Sequence, residues 1–240
     1  MSKHYVPPGK LLAVEGPDGS GKSTVVKHIT TNLRSRGIEV VTTRLPGGTE
    51  TGEAIRDFFK STASYLPIED QIAMLMLAKR QLVNEVIKPA LAAGKYVICD
   101  RYTDSLYAYQ WAGFSEFDPA IKRRIDDNLI IYGIDVDVDM KIVLDCPPEM
   151  SNNRMYGRRA TDNDVLDQMN NTFKSRVRSY YRDHLKECIN GQTVFVNTVQ
   201  GLPNTLSIID RLVGLVLFSK LPNLQPGRLN ESEMRYTLST

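Results

Sequence analysis

The sequence predicts an α/β fold: a three-layer α/β/α arrangement around a five-stranded parallel sheet. Two observations carry that expectation. Five short apolar runs alternate with longer stretches of helical periodicity, and strands separated by helices pair in parallel through right-handed crossovers, with helices on both faces. A glycine-rich stretch, Gly16 to Ser23, joins the first apolar run to the first helical pattern.

Taken in order, "LLAVEG" from Leu11 reads as a buried strand, followed by a helix from Lys22 to about Arg36 that Gly37 ends. "IEVVTTR" is the second strand. "IEDQIAMLMLAKRQLVNEVIKPALAAG" is one long helix despite Pro89, because apolar residues recur at threes and fours until Gly94. "KYVICD" and "MKIVLDC" are the third and fourth strands, the latter stopped by Pro147 and Pro148; "QTVFVNT" is the fifth, and "LPNTLSIIDRLVGLVLF" a closing helix. Residues 1–220 are expected to form a single domain. Residues 221–240 lose periodicity and read as a loose C-terminal tail.

Composition narrows the function. The 240 residues suit one compact domain, and a formal net charge of +2 offers no basic field for nucleic acid. Cys99, Cys146 and Cys188 are far apart and lack metal spacing, so reduced thiols in a cytoplasmic setting are expected. No apolar run reaches the roughly 18 residues of a membrane span, and "MSKHYVPPGK" lacks the apolar core of a signal peptide.

Gly16-Pro17-Asp18-Gly19-Ser20-Gly21-Lys22-Ser23 fits G-x-x-x-x-G-K-[ST] between a strand and a helix, which makes the fold one of P-loop NTPase type. The glycines let backbone N–H groups converge on phosphate oxygens, and the helix adds its positive end. Gly16, Gly19, Ser20, Gly21, Lys22, Ser23 and Thr24 are therefore the expected ATP cradle, with Lys22 bridging the β- and γ-phosphates and Ser23 on Mg²⁺. Asp18 inside the loop is costly beside phosphates unless it meets a metal shell or a donor. Asp100, at the end of strand three in "CDRY", is placed to hold Mg²⁺ through water, and Arg101 follows it into the same crevice. On this dipeptide alone a plain ion pair reads equally well.

The surroundings are more specific. Phosphate loop, T-R-x-P-G-G-T, A-x-R before a long helix ending in P-A-L-x-x-G, and D-R-Y-x-x-S-x-x-A-Y-Q occur in that order. From about Leu11 to Leu217 the chain resembles the thymidylate kinase family. In that family the γ-phosphoryl group of ATP moves to the 5′-phosphate of deoxythymidine monophosphate (dTMP), giving the diphosphate. The resemblance implies that Arg44 and Arg56 hold the acceptor phosphate beside Pro46, and that Arg101 reaches both phosphates. It implies that Arg80 reads the O4 edge of thymine, Tyr109 packs under the deoxyribose, and Asp18 lies near the 3′-hydroxyl and the metal shell. Ser105 and Gln110 face the base edge or its waters. It also implies a homodimer, with faces near Ile72–Val86 and Ile121–Ile131.

After strand four, Arg154, Arg158 and Arg159 cluster around Gly157. Relatives without an arginine in the loop, here Gly19, usually supply one from a basic lid closing over ATP, and closure excludes water; the resemblance thus implies a helical lid at about 150–166. Arg158, then Arg154, is the preferred catalytic arginine, with Arg159 on ATP and Asn197 where the adenine pocket begins. Asp162, Asp164 and Asp167 offer a second metal partner without singling one out.

Two departures from the pattern fall on the base pocket, and a third falls within T-R-x-P-G-G-T. Met76 stands where an aromatic ring usually stacks on the base, Leu106 where some relatives are polar, and Leu45 replaces an acid. A 5-substituted deoxyuridine monophosphate (dUMP) therefore stands beside dTMP as acceptor. A deoxynucleoside kinase needs a carboxylate after strand two, where this chain has Arg44 and glycines. A non-catalytic nucleotide-binding module is opposed by the complete set Lys22, Ser23, Asp100 and Arg101.

Overall fold

The structure, a computed structural model, describes residues 9–134, 136–156, 166, 168–185 and 193–218. Five strands, β1 (Leu11–Glu15), β2 (Val40–Arg44), β3 (Tyr96–Asp100), β4 (Met140–Asp145) and β5 (Thr193–Asn197), form one sheet in the order β2-β3-β1-β4-β5. Every pairing is parallel, as the alternation of strands and helices predicts. Arg44 pairs with Asp100, Glu15 with Val143, and Asp145 with Asn197. The carboxyl ends of the strands thus line one edge, where open parallel sheets bind ligands.

The helices are α1 (Lys22–Ser35), α2 (Glu50–Thr62), α3 (Ile68–Gln81), α4 (Lys88–Ala92), α5 (Thr103–Leu106), α6 (Pro119–Tyr132), α7 (Pro148–Tyr156), α8 (Asn171–Ser179) and α9 (Leu202–Phe218). Alternate side chains of the buried strands address opposite layers. Leu12 and Val14 meet Val25, Ile29 and Leu33 of α1 and Ile209 and Val213 of α9. Leu11 and Ala13 meet Ile55 of α2 and Ala78 of α3. Farther along that second face, Val143 and Phe195 pack with Tyr109, Phe173 and Tyr181. Each such aliphatic side chain removed from water contributes about 1.5–3 kcal/mol.

The long helix predicted through Pro89 is present, but not as a uniform α-helix. Between α3 and α4 the segment Leu82–Ile87 is a wide turn in which the Lys88 N–H reaches back five residues to Val83 O. Proline has no N–H to donate and its ring crowds the carbonyl four residues earlier. Widening the helix just before Pro89 relieves both problems without breaking the rod. A second wide segment, Tyr107–Phe114, continues α5 and carries Tyr109 and Gln110. Helix α2 was missed from the apolar spacing; its signal is Thr49, whose side chain caps Gly52 N, followed by Glu50 and Glu53 in the first turn.

Helix α7 covers the start of the expected lid. Arg158, Arg159, Asp162, Asp164, Asp167 and the tail at 221–240 lie outside the described residues.

Candidate active site

The loop after β1 curls through Gly16 (φ 133°) and Gly19 (φ 72°). A Cβ on Gly16 would stand 2.4 Å from Leu144 O, and one on Gly19 2.7 Å from Ser151 O. Both glycines are thus required by backbone conformation and by close neighbours. Ser151 of α7 also donates its hydroxyl to Asp18 O, so α7 rests directly on the loop. Ser20 Oγ is buried with no partner among the described residues, a polar atom left open within the cradle.

Lys22 folds back on its own loop, donating to Gly16 O at 3.0 Å and Pro17 O at 2.8 Å. Its Nζ is 3.9 Å from Asp18 Oδ1. Burial, with the nearby Arg101 charge, pulls its pKa down to about 8. Ser23 Oγ donates to Asp100 Oδ2 at 3.0 Å, bringing together the two predicted metal-holding side chains. Thr24 is exposed on the first turn of α1.

Arg101 occupies the left-handed region (φ 70°), a conformation unfavourable for a side-chain-bearing residue. It is pinned by its own N–H on Val14 O at 2.9 Å and by Tyr102 N–H on Glu15 at 2.7 Å. The turn throws the guanidinium across the loop: Nη1 donates to Gly16 O at 3.1 Å and Ser105 Oγ at 3.2 Å. Nη2 donates to Tyr109 OH at 2.9 Å and ion-pairs with Asp18. Tyr109 OH in turn donates to Asp18 Oδ2 at 2.6 Å. Burial would raise the Asp18 carboxyl, but the charges of Arg101 and Lys22 outweigh it and hold the group well below the usual carboxylate range.

Beside this junction opens a cleft of about 630 Å³, open solvent included. Of the residues expected on the acceptor, Asp18, Pro46, Arg56, Arg101, Ser105, Tyr109 and Gln110 line it. Arg56 donates to Pro46 O at 3.4 Å. Arg44 stands next to Asp100 in the sheet register and is clamped by Glu53, whose carboxylate also accepts Gly48 N–H at 2.8 Å. Leu106, the replacement noted in the sequence, is part of the cleft wall.

Three expected residues do not line the cleft: Arg44, turned to Glu53, and Met76 and Arg80 on α3. Met76 is 1% exposed and packs into the core with Ile72, Ile121 and Ile125. Arg80 is exposed, its guanidinium 5.9 Å from the Tyr132 ring centroid. The cleft is faced instead by Leu75. Lys79, four residues on and fully buried, lies 4.1 Å above the Tyr102 ring and donates to Thr103. One residue along a helix is a rotation of about 100°, so α3 presents Leu75 to the cleft while Lys79, on the same stripe, is buried behind Tyr102 of the cleft wall.

Arg154 does not reach the phosphate loop. It holds Thr198, through Thr198 O at 2.9 Å and Oγ1 at 3.2 Å, in the turn where Asn197 Oδ1 accepts Val199 N–H. Sequence reasoning missed Glu15, a fully buried carboxylate accepting from Tyr102 N, Ser105 and Tyr181. Burial and then Asp104 raise its pKa. Its signal was a charged residue inside the apolar run "LLAVEG". Arg178, paired with Asp145 at 2.7 and 3.0 Å beyond β4, gave no comparable signal.

The sequence model of the thymidylate kinase family matches residues 14–203. The chain belongs to the thymidylate kinase family. It is thus a nucleoside monophosphate kinase in kind, an enzyme of the phosphotransferase class. The thymidylate kinase of Methylococcus capsulatus is 38% identical over 179 residues, covering 72% of this chain and 80% of the relative. That of Glaesserella parasuis is 34% identical over 215 residues, 88% of this chain and 99% of the relative. The crystal structure of the Ehrlichia chaffeensis thymidylate kinase matches with a TM-score of 0.64 at 26% identity, covering 88% of this chain and all of that one. As in a family built on a parallel sheet and a phosphate loop, no helix among the described residues is long and apolar enough to cross a membrane.

Proposed function

We propose that this chain transfers the γ-phosphoryl group of ATP directly and in line to the 5′-phosphate of dTMP, or of a closely related 5-substituted dUMP, giving the diphosphate. One observation carries the reading: Arg101 touches the phosphate loop at Gly16 O with one nitrogen, and the same guanidinium lines the cleft. A single cation therefore spans the junction at which a donor phosphate on the loop and an acceptor phosphate in the cleft would meet.

Phosphoryl transfer between two polyanions asks chiefly for positioning and charge neutralisation. Arg56 and Arg44 supply acceptor contacts from the β2 side, and Lys22 neutralises the donor. Arginine suits these posts because its planar fork holds two phosphate oxygens and keeps its proton. Each cation aimed at the transition state contributes about 2–4 kcal/mol, or roughly 30- to 1000-fold. Asp18 and Tyr109 hold Arg101 in place and face the sugar; Ser105 and Gln110 face the base.

Ser23 and Asp100 present hard oxygen ligands 3.0 Å apart, a donor set that fits Mg²⁺ completed by phosphate oxygens and water. Held there, the ion would supply charge neutralisation to the donor. In this reading Arg158 closes from the lid, Arg159 and Asn197 contact ATP, and Arg154 is the alternative lid arginine. Two chains pair through α3 and α6, where Leu77, Ile130, Ile131 and Tyr132 are exposed. Cys99 and Cys146, free buried thiols, suit a reducing cytoplasmic setting.

ADP release measured in parallel with dTMP, with thymidine and with no acceptor tests the reaction. Turnover that requires dTMP is expected. Turnover with thymidine but not dTMP would assign a nucleoside kinase instead, and none with any acceptor would leave a binding module.

A further inference from the structure

Gln71 of α3 and Gln110 of the wide segment after α5 meet behind the cleft, 1% and 2% exposed. Gln71 Nε2 donates to Ala63 O at 2.9 Å and to Leu66 O at 3.0 Å, in the connection between α2 and α3. A backbone carbonyl only accepts, so this end of Gln71 has to be the nitrogen. Its Oε1 is thereby turned to Gln110, whose Nε2 donates to it at 3.2 Å. With its nitrogen committed inward, the Gln110 amide has its oxygen to offer to the cleft it lines. Reversing Gln110 would set two amide oxygens against each other without a proton between them. Reversing Gln71 as well would aim its oxygen at two carbonyls. Neither arrangement is tolerable in a buried site.

We propose that Gln71 is a positioning residue that orients the Gln110 carbonyl as an acceptor, so that the cleft selects bases with a ring N–H at that edge. A 4-oxopyrimidine carries such a proton on N3; cytosine has a lone pair there. This rests on the cleft being the acceptor pocket. It extends that reading by locating the selection in a backbone turn, Ala63 to Leu66, that sits behind the base-facing side chain.

The test is kcat/KM for dTMP and for deoxycytidine monophosphate (dCMP) in the full-length wild type, in Gln71→Met and in Gln110→Leu. The wild type is expected to prefer dTMP. Gln71→Met keeps the volume and removes the anchor, and the dTMP to dCMP ratio is expected to fall about tenfold, mainly through KM. Gln110→Leu is expected to lose the same discrimination. A ratio that falls in Gln110→Leu but holds in Gln71→Met, or equal losses on both substrates, overturns the relay. So does a wild type that uses dCMP as well as dTMP, a measurement that needs no variant to fold. Absence of turnover on every monophosphate sinks the acceptor reading and the relay with it, whereas turnover of dTMP with an unmoved ratio sinks the relay alone.

Discussion

Lys22 sits between opposing influences at the heart of the loop. Burial and the Arg101 charge favour its neutral form, while Asp18, Asp100 and Glu15 favour the ammonium, and the balance leaves a pKa of about 8. The lowered value means that the charge is present below about pH 8 and is lost above it in the free enzyme. We expect kcat/KM for ATP, which reports the free enzyme, to decline above about pH 8. Bound phosphates favour the charged form, so the decline in kcat moves to higher pH. Lys22→Ala should lower kcat by at least about 100-fold and remove the limb from the pH profile. A wild-type profile flat to pH 10 would refute this account of Lys22.

At the level of elements, α2 delivers Arg56 to the cleft and Glu53 to Arg44, and its start rests on a small device. Thr49 Oγ1 accepts Gly52 N–H at 3.0 Å, satisfying one of the orphan donors at the helix end. Thr49→Ala is expected to cost about 1 kcal/mol of stability, read from the urea midpoint. Because Arg56 lies about one turn farther along the same helix, KM for the acceptor should rise more than KM for ATP; equal changes would mean that α2 does not set the acceptor site. The wide turns obey similar local logic. One accommodates Pro89, and the other brings Tyr109 and Gln110 onto the surface that meets the cleft.

For the molecule as a whole, the sheet order puts β1 between β3 and β4. The phosphate loop therefore emerges beside both Asp100 and the start of α7, and loop, cleft and α7 share one edge. The opposite consideration governs the outside. Ile130 and Ile131 are 77% and 75% exposed, contiguous apolar surface of a kind that marks association sites. Ile131→Glu should shift the proposed dimer to monomer in sedimentation velocity with the helical circular dichroism retained. A wild type that already sediments as a monomer would remove the proposed pairing.

Five strands, the phosphate loop and the long helix through Pro89 were legible because each is written in contiguous residues: an apolar run, a glycine spacing, a 3.6-residue period. The meeting of Ser23 with Asp100 was legible for another reason, since strand ends in a parallel sheet converge on one edge, whereas the pairing of Arg101 with Asp18 was not read from the sequence. Local pattern did not settle the phase of α3. An apolar stripe broad enough to include both Leu75 and Met76 leaves open which of the two meets the cleft, and hence whether Lys79 or Arg80 lies behind it. Packing against α6 and the sheet decided that. Nor does any short motif orient the Gln110 amide, whose direction comes from Gln71 and, through it, from two backbone carbonyls of a distant turn. Sequence alone determined the phosphate loop and the order of the layers, because these depend on neighbours along the chain. Only the tertiary structure decided which side chains face the cleft and which atom of each is presented, because those depend on neighbours across it.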